Sequence, residues 1–99
     1  MSRFGLHRIG DMPGYLLDVQ SNHLDMLTTR IVVPLIAAAD GPPMIKGLTP
    51  VFAVEGEAWM MLTYGLASIE RRALGPVLGD LSAERDLITA ALDLLLTGF

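Results

Sequence analysis

The stretch DVQSNHLD, residues 18–25, holds the densest group of side chains that could do chemistry. Asp18, Ser21, His23 and Asp25 are the residue types of a hydroxyl nucleophile, its base and an orienting acid. Their spacing matches neither a nucleophile elbow nor a metal-binding motif. Alternation along a strand also places Asp18 on the face opposite Ser21. We therefore interpret these residues as strand-end and turn groups that satisfy the backbone, and we predict no catalytic residue and no metal site.

The other polar side chains also have simple structural explanations. Glu55 and Glu57 flank the glycine of a predicted hairpin turn, and His7 stands alone on a predicted strand. The sequence has no cysteine, which excludes a cysteine nucleophile and a thiolate metal site. It also lacks a glycine-rich phosphate loop. We predict no cofactor and no enzymatic activity, so the chain is expected to act by binding.

The elements that must position these side chains are mostly strands, because short apolar segments alternate with turn signals. The predicted strand regions are a hairpin over residues 3–21, a strand at 29–36, a hairpin at 50–64 and a strand within 67–74. In the second hairpin, Glu55 and Gly56 form the turn. Pro34 cannot donate to a ladder hydrogen bond, so we expect it at a sheet edge or a bulge.

Only the C-terminal end has helical spacing. Its polar stripe consists of Arg85, Thr89, Asp93 and Thr97, which fall four residues apart. Ser82 is the predicted N-cap. Nearly every other position through Leu96 is apolar, which predicts a helix buried on most sides, with Leu87 and Ala91 against the sheet. The fold class is therefore mainly β with one C-terminal helix, as a single domain over residues 1–99.

Composition limits the partners. The chain has 99 residues, of which 52% are hydrophobic, and a domain this short hides only roughly 60–65% of its surface. Self-association is the simplest way to cover the excess. A net charge of −4 disfavours direct binding to nucleic acid, which needs surplus Lys and Arg. No signal peptide or membrane-spanning run is visible, so we expect a soluble cytoplasmic domain.

Four short sequence motifs resemble those of the CcdB family of plasmid and chromosomal toxins. They are LDVQS, RIVVPL, PVFAVEGEAWMMLT and DLSAER, followed by a C-terminal glycine and an apolar residue. Their order and spacing match the family over nearly the whole chain. The resemblance implies an SH3-like antiparallel β-barrel with a C-terminal helix, paired as a homodimer. It also implies a poison of DNA gyrase, bound to the gyrase A subunit and neutralised by the tail of a CcdA-like antitoxin.

The same resemblance implies the binding residues. Those for gyrase are Asp93, Leu96, Thr97, Gly98 and Phe99 at the end of the helix, with His23 and Leu24 shortly after the DVQS motif. Those for the antitoxin are Ser21, His23, Leu24, Asp93 and Thr97. Family members end in Phe-Trp-Gly-Ile, so Thr97 stands where the family has the tryptophan that stacks on gyrase.

Two alternatives stay open at this point. Toxins of the MazF type share the barrel fold and cleave RNA, and Arg30, Arg71 and Arg72 could be recruited to such an endoribonuclease site. The excess of acidic over basic residues argues against an RNA-binding groove. The other alternative is a decayed or retargeted CcdB homologue that binds its antitoxin but not gyrase.

Overall fold

A computed structural model describes residues 2–98 as seven strands and one α-helix. The strands are β1 Gly5–His7, β2 Tyr15–Asp18, β3 Thr29–Ala37, β4 Val51–Val54, β5 Glu57–Met61, β6 Ala67–Glu70 and β7 Gly79–Asp80, and the helix is α1 Arg85–Thr97. Short 3₁₀ turns occupy several of the connections. The predicted fold class, mainly β with one C-terminal helix, is confirmed.

All strand pairs are antiparallel, and the sheet curls into a half-barrel. The order along the sheet is β4-β5-β3-β2-β1-β7, and β6 pairs with β3 as well. The strand β3 is therefore central, because it pairs with three others. Both of its faces are covered: Val33 and Leu35 belong to the main core, whereas Val32 belongs to a smaller cluster with Leu16 and Leu74.

Pro34 lies inside this central strand, so the prediction of an edge or a bulge was wrong. On one side it pairs with Leu16 of β2. On the other side of β3, the pairing with β6 ends at Val32 and the pairing with β5 begins at Leu35. The missing N–H of the proline falls where one neighbouring strand ends and the next begins, and its carbonyl still accepts from the amide of Leu62.

The hairpin of β4 and β5 agrees with the sequence pattern. Glu55 and Gly56 connect the strands with φ angles of 51° and 79°. Positive φ at both central residues is the mark of a type I′ turn, whose twist matches that of the strands. The hairpin brings Phe52 opposite Trp59, and both are buried in the main core.

The helix differs from its prediction at its start and in its burial. A 3₁₀ turn, Ser82–Glu84, comes first, and Glu84 is the N-cap residue. Only Ile88, Ala91 and Leu92 of the helix are buried. Leu87 is 54% exposed, so it does not cover the sheet as predicted. No helix within residues 2–98 is long and apolar enough to cross a membrane.

Candidate partner-binding site

The loop that follows β2 presents two of the predicted binding residues to solvent. Ser21 begins a 3₁₀ turn, Asn22–Leu24, and its Oγ accepts a 3.1 Å hydrogen bond from the His23 amide. This bond satisfies a free amide at the start of the turn. His23 is exposed, and Leu24 is 45% exposed. An apolar side chain is thus held outward on a short, capped turn.

Beneath this loop lies a buried ion pair. The guanidinium of Arg30 donates from Nε to Asp18 Oδ2 at 2.8 Å and from Nη2 to Asp18 Oδ1 at 2.9 Å. Both side chains are fully buried. The Oδ1 atom also accepts from the Gln20 amide at 3.0 Å. A two-pronged pair of this kind fixes the relative position of β2 and β3 where the loop leaves the sheet.

Further hydrogen bonds tie the loop to its surroundings. The Gln20 side chain accepts from the Ile31 amide at 3.0 Å and donates to the Leu24 carbonyl at 3.0 Å. Asp25 accepts from Arg30 Nη1 at 3.2 Å and from Arg71 Nη2 at 3.0 Å, and Arg71 also donates to the Asp25 carbonyl. The loop is therefore anchored at both ends, which fixes the position of its exposed residues.

The other predicted residues lie at the end of α1. The Thr97 hydroxyl donates to the Asp93 carbonyl at 2.6 Å, and Leu96 is 69% exposed. Gly98 ends the helix with φ 81°, and its amide bonds to the carbonyls of Asp93 and Leu94. This left-handed cap suits glycine, because a side chain would be strained there. Phe99 lies outside the described residues.

The four residues of the catalytic interpretation do not form a nucleophile site. Asp18 is engaged with Arg30 in the interior, and Asp25 contacts Arg30 and Arg71. The Ser21 hydroxyl caps the loop beside His23. Within residues 2–98, no group of three or more His, Cys, Asp or Glu side chains could hold a metal ion.

Comparison with known families decides the assignment. The family model described as CcdB protein matches residues 4–98, which is nearly the whole chain. The chain belongs to the CcdB family. Membership indicates a toxin of a toxin–antitoxin system, and the suspected resemblance is confirmed.

A solved structure shares the fold of this CcdB-family chain. It is an endoribonuclease in complex with its cognate antitoxin from Mycobacterial species, with a TM-score of 0.77 and 17% sequence identity. The match covers 97% of this chain and 94% of that one. At this identity the likeness shows the fold alone.

In this CcdB-family chain the predicted binding residues fall into two groups. Ser21 and His23 line a cavity together with Arg85 at the start of α1. Asp93 and Thr97 lie two to three turns further along the helix, roughly 12–18 Å away at 1.5 Å per residue. The loop before β4 also reaches the helix end, because a side chain at Gly47 would contact Leu94.

The burial of Arg30 was not predicted from the sequence, where Arg30 was a candidate RNA-cleaving residue of the endoribonuclease alternative. The structure buries it completely, so it cannot contact RNA on the surface. One signal could have found it: Arg30 and Asp18 are single charges in otherwise apolar strand segments. A buried charge needs an opposite charge beside it, which makes such a pair predictable.

Proposed function

We propose that this CcdB-family protein is the toxin of a type II toxin–antitoxin system that binds the A subunit of DNA gyrase and poisons or inhibits the enzyme. It acts by binding, without catalysis, in the cytoplasm. The observation that carries the proposal is the family match over residues 4–98. The candidate catalytic group supports a binding role, because Asp18, Ser21 and Asp25 are engaged in structural contacts.

The surface at the end of α1 supports the same proposal. Leu96 is 69% exposed near the end of a helix that is anchored to the core by Ile88 and Leu92. A mostly exposed leucine on a rigid, capped helix is a suitable anchor for a partner, because little ordering is needed on binding. Thr97 has its hydroxyl turned back to the backbone, which leaves its methyl group for contact.

An antitoxin tail is the second proposed partner. The structural neighbour is an endoribonuclease solved with its cognate antitoxin, which supports an antitoxin partner for a chain of this fold. The proposed contact residues include Ser21, His23 and Leu24 on the loop, with Asp93 and Thr97 on the helix. Disordered tails that fold on binding can cover two such separated groups at once.

Supercoiling by the host's own gyrase tests the proposal. The purified protein, added in excess to gyrase, relaxed plasmid and ATP, is expected to reduce supercoiling or to trap cleaved DNA. The isolated gyrase A subunit is expected to bind the protein in a pull-down. An antitoxin encoded directly upstream, with a basic N-terminal part and an acidic tail, is expected to reverse both effects. Unchanged supercoiling together with no binding to the A subunit would contradict gyrase as the target. Normal growth at high expression without antitoxin would favour the decayed alternative.

The endoribonuclease alternative has its own test. Incubation of the purified protein with total RNA is expected to leave the RNA intact. Arg71 and Arg72 remain the surface arginines of that alternative, but each already contacts a carboxylate, Asp25 and Glu70 respectively. Cleavage that is lost in the Arg72→Ala variant, with an unchanged melting curve, would make the enzyme interpretation correct.

A homodimer is also proposed, with an interface of apolar sheet surface and both helix ends near the two-fold axis. Large apolar side chains exposed on the single chain support it, including Met44, Ile45, Val77, Leu78 and Leu96. Monomers rarely leave so much apolar surface uncovered. Light scattering at micromolar concentration is expected to give about twice the 10.7 kDa of one chain. A monomer mass under those conditions would remove this prediction.

A further inference from the structure

A polar cavity separates the loop after β2 from the start of α1. Its volume is about 400 Å³. The lining residues are Arg3, Phe4, Ser21, Asn22, His23, Ser82 and Arg85. They come from three distant parts of the sequence, and none of the seven is an Asp or Glu. In a chain of net charge −4, this cavity is lined by two arginines and a histidine.

The guanidinium of Arg3 is held in place from two sides. Its Nε donates to the Val19 carbonyl at 3.1 Å, and its Cζ lies 4.7 Å from the centre of the Phe4 ring. Phe4 is buried and has a φ of 73°, which is unusual for an aromatic residue. No hydrogen bond from the two Nη atoms of Arg3 to residues 2–98 is seen. This arginine therefore offers a fixed pair of donors to the cavity.

Arg85 supplies the second cation. It is exposed, and within residues 2–98 it has no hydrogen bond or ion pair from its side chain. Asp80 contacts Ser82, which lines the cavity. Hydrogen bonds from the Ser82 side chain and backbone amide hold the pKa of Asp80 below its ordinary value, so this acid stays charged but is already engaged. Glu84 and Asp86 flank Arg85 in the chain without lining the cavity.

We propose that this cavity binds an oxyanion, held between the guanidinium groups of Arg3 and Arg85 with Asn22 and His23 at its side. The paired N–H donors of a guanidinium group match the spacing of the oxygen atoms in planar carboxylates and tetrahedral phosphates. They bind these groups through charge-assisted hydrogen bonds. A lining without carboxylates removes the main competitor for those donors. The proposal is argued from the cavity and its charges, and the cavity shares Ser21 and His23 with the residues proposed above for partner binding.

Titration with inorganic phosphate, followed by the amide NMR shifts of the full chain at constant ionic strength, tests the site. The amides of Ser21, Asn22 and Ser82 are expected to move in a saturable way. In the Arg85→Gln variant the affinity is expected to fall about ten- to a hundredfold, the share of one charge-assisted contact. The matched control is Lys46→Gln, which removes the same charge from an exposed loop residue outside the cavity, and its affinity is expected to stay within about twofold of the parent.

A second pair of titrations distinguishes the sources of the oxyanion. An acetylated peptide of alternating Asp and Glu is compared with the same peptide carrying Asn and Gln. Shifts of the same amides by the acidic peptide, competed by phosphate, assign the site to acidic side chains of a protein partner. Shifts by phosphate alone assign it to a phosphate group. Absence of saturable shifts with either probe, or equal affinity in the parent and in Arg85→Gln, would overturn the proposal.

Discussion

Replacing Asp18 with asparagine is expected to lower the free energy of unfolding by about 3–5 kcal/mol, because the change leaves the guanidinium of Arg30 buried without its main counter-charge. The two side chains are fully buried and joined by two hydrogen bonds of 2.8 and 2.9 Å. The new amide would place N–H donors against the donors of Arg30. Asp25, at 3.2 Å from Nη1, compensates only in part. Urea denaturation gives the loss directly, and the melting temperature is expected to fall by at least about 12 °C.

A surface ion pair provides the matched control for this prediction. Glu70 and Arg72 are joined at 2.7 Å, but their side chains are 58% and 86% exposed. Glu70→Gln is expected to change stability by less than about 1 kcal/mol, because water already solvates both groups. Equal losses in Asp18→Asn and Glu70→Gln would show that burial of the first pair carries no special cost.

A double variant separates the strength of the pair from the cost of breaking it. Asp18→Leu combined with Arg30→Met removes both charges and keeps an apolar interior. Its stability is expected to exceed that of Asp18→Asn, since an unpaired buried charge is costlier than no charge. Recovery should stay incomplete, because the Gln20 amide loses its acceptor on Asp18. A double variant less stable than Asp18→Asn would contradict this account.

The strands were predictable because their signals are local. The Glu55-Gly56 turn joins two apolar arms, and its positive φ angles follow from the hairpin twist that such a pair permits. The β-branched run that begins at Thr29 became the longest strand. Its central place was not predictable from Pro34, because which strands end beside it is a property of the whole sheet.

Burial of the helix was overestimated because sequence alone does not show how wide a face the sheet can cover. The half-barrel buries only Ile88, Ala91 and Leu92, so Leu87 and Leu96 remain in solvent on the single chain. The helical pattern predicted that nearly all apolar residues of α1 are buried in the core, although the composition indicated more apolar surface than a single chain can bury. The predicted N-cap at Ser82 was wrong for a similar reason. Ser82 begins a 3₁₀ turn that precedes the helix, and its amide donates a hydrogen bond to Asp80.

The candidate site was predicted only through the family. Nothing local distinguishes His23 and Leu24 from ordinary turn residues, and their role stays a prediction. The anchoring of their loop by Arg71 depends on a contact with Asp25 between residues 46 positions apart. Single-sequence patterns carry no information on such pairs.

The second large effect is expected at the end of α1, where Leu96→Ala should remove most of the affinity for the gyrase A subunit. Truncating a central apolar anchor typically costs about 2–4 kcal/mol of binding free energy. This corresponds to an affinity about thirty to several hundred times weaker. Stability should hardly change, because Leu96 is 69% exposed and alanine is the best helix former. Titration calorimetry with the A subunit and a growth assay without antitoxin measure the loss.

The neighbouring residues extend this prediction in both directions. Thr97→Trp is expected to strengthen binding to gyrase, because it restores the aromatic ring that the family uses as its anchor. Phe99, outside the described residues, is expected to act as the substitute anchor in this chain. Phe99→Ala should then abolish toxicity and leave the melting curve unchanged, as expected for a side chain whose energetic role is contact with a partner.

Leu87→Ala is the control that decides whether the effect of Leu96→Ala belongs to the helix end. Leu87 is 54% exposed on the same helix, but at about 100° per residue the nine intervening steps turn it to the opposite face. Both variants remove the same exposed side chain and cost the helix equally little. Killing lost only in Leu96→Ala, with both melting curves unchanged, makes the helix end the binding surface. Equal killing by both variants and the parent would refute it, and a melting temperature that falls together with killing would make Leu96 a packing residue instead.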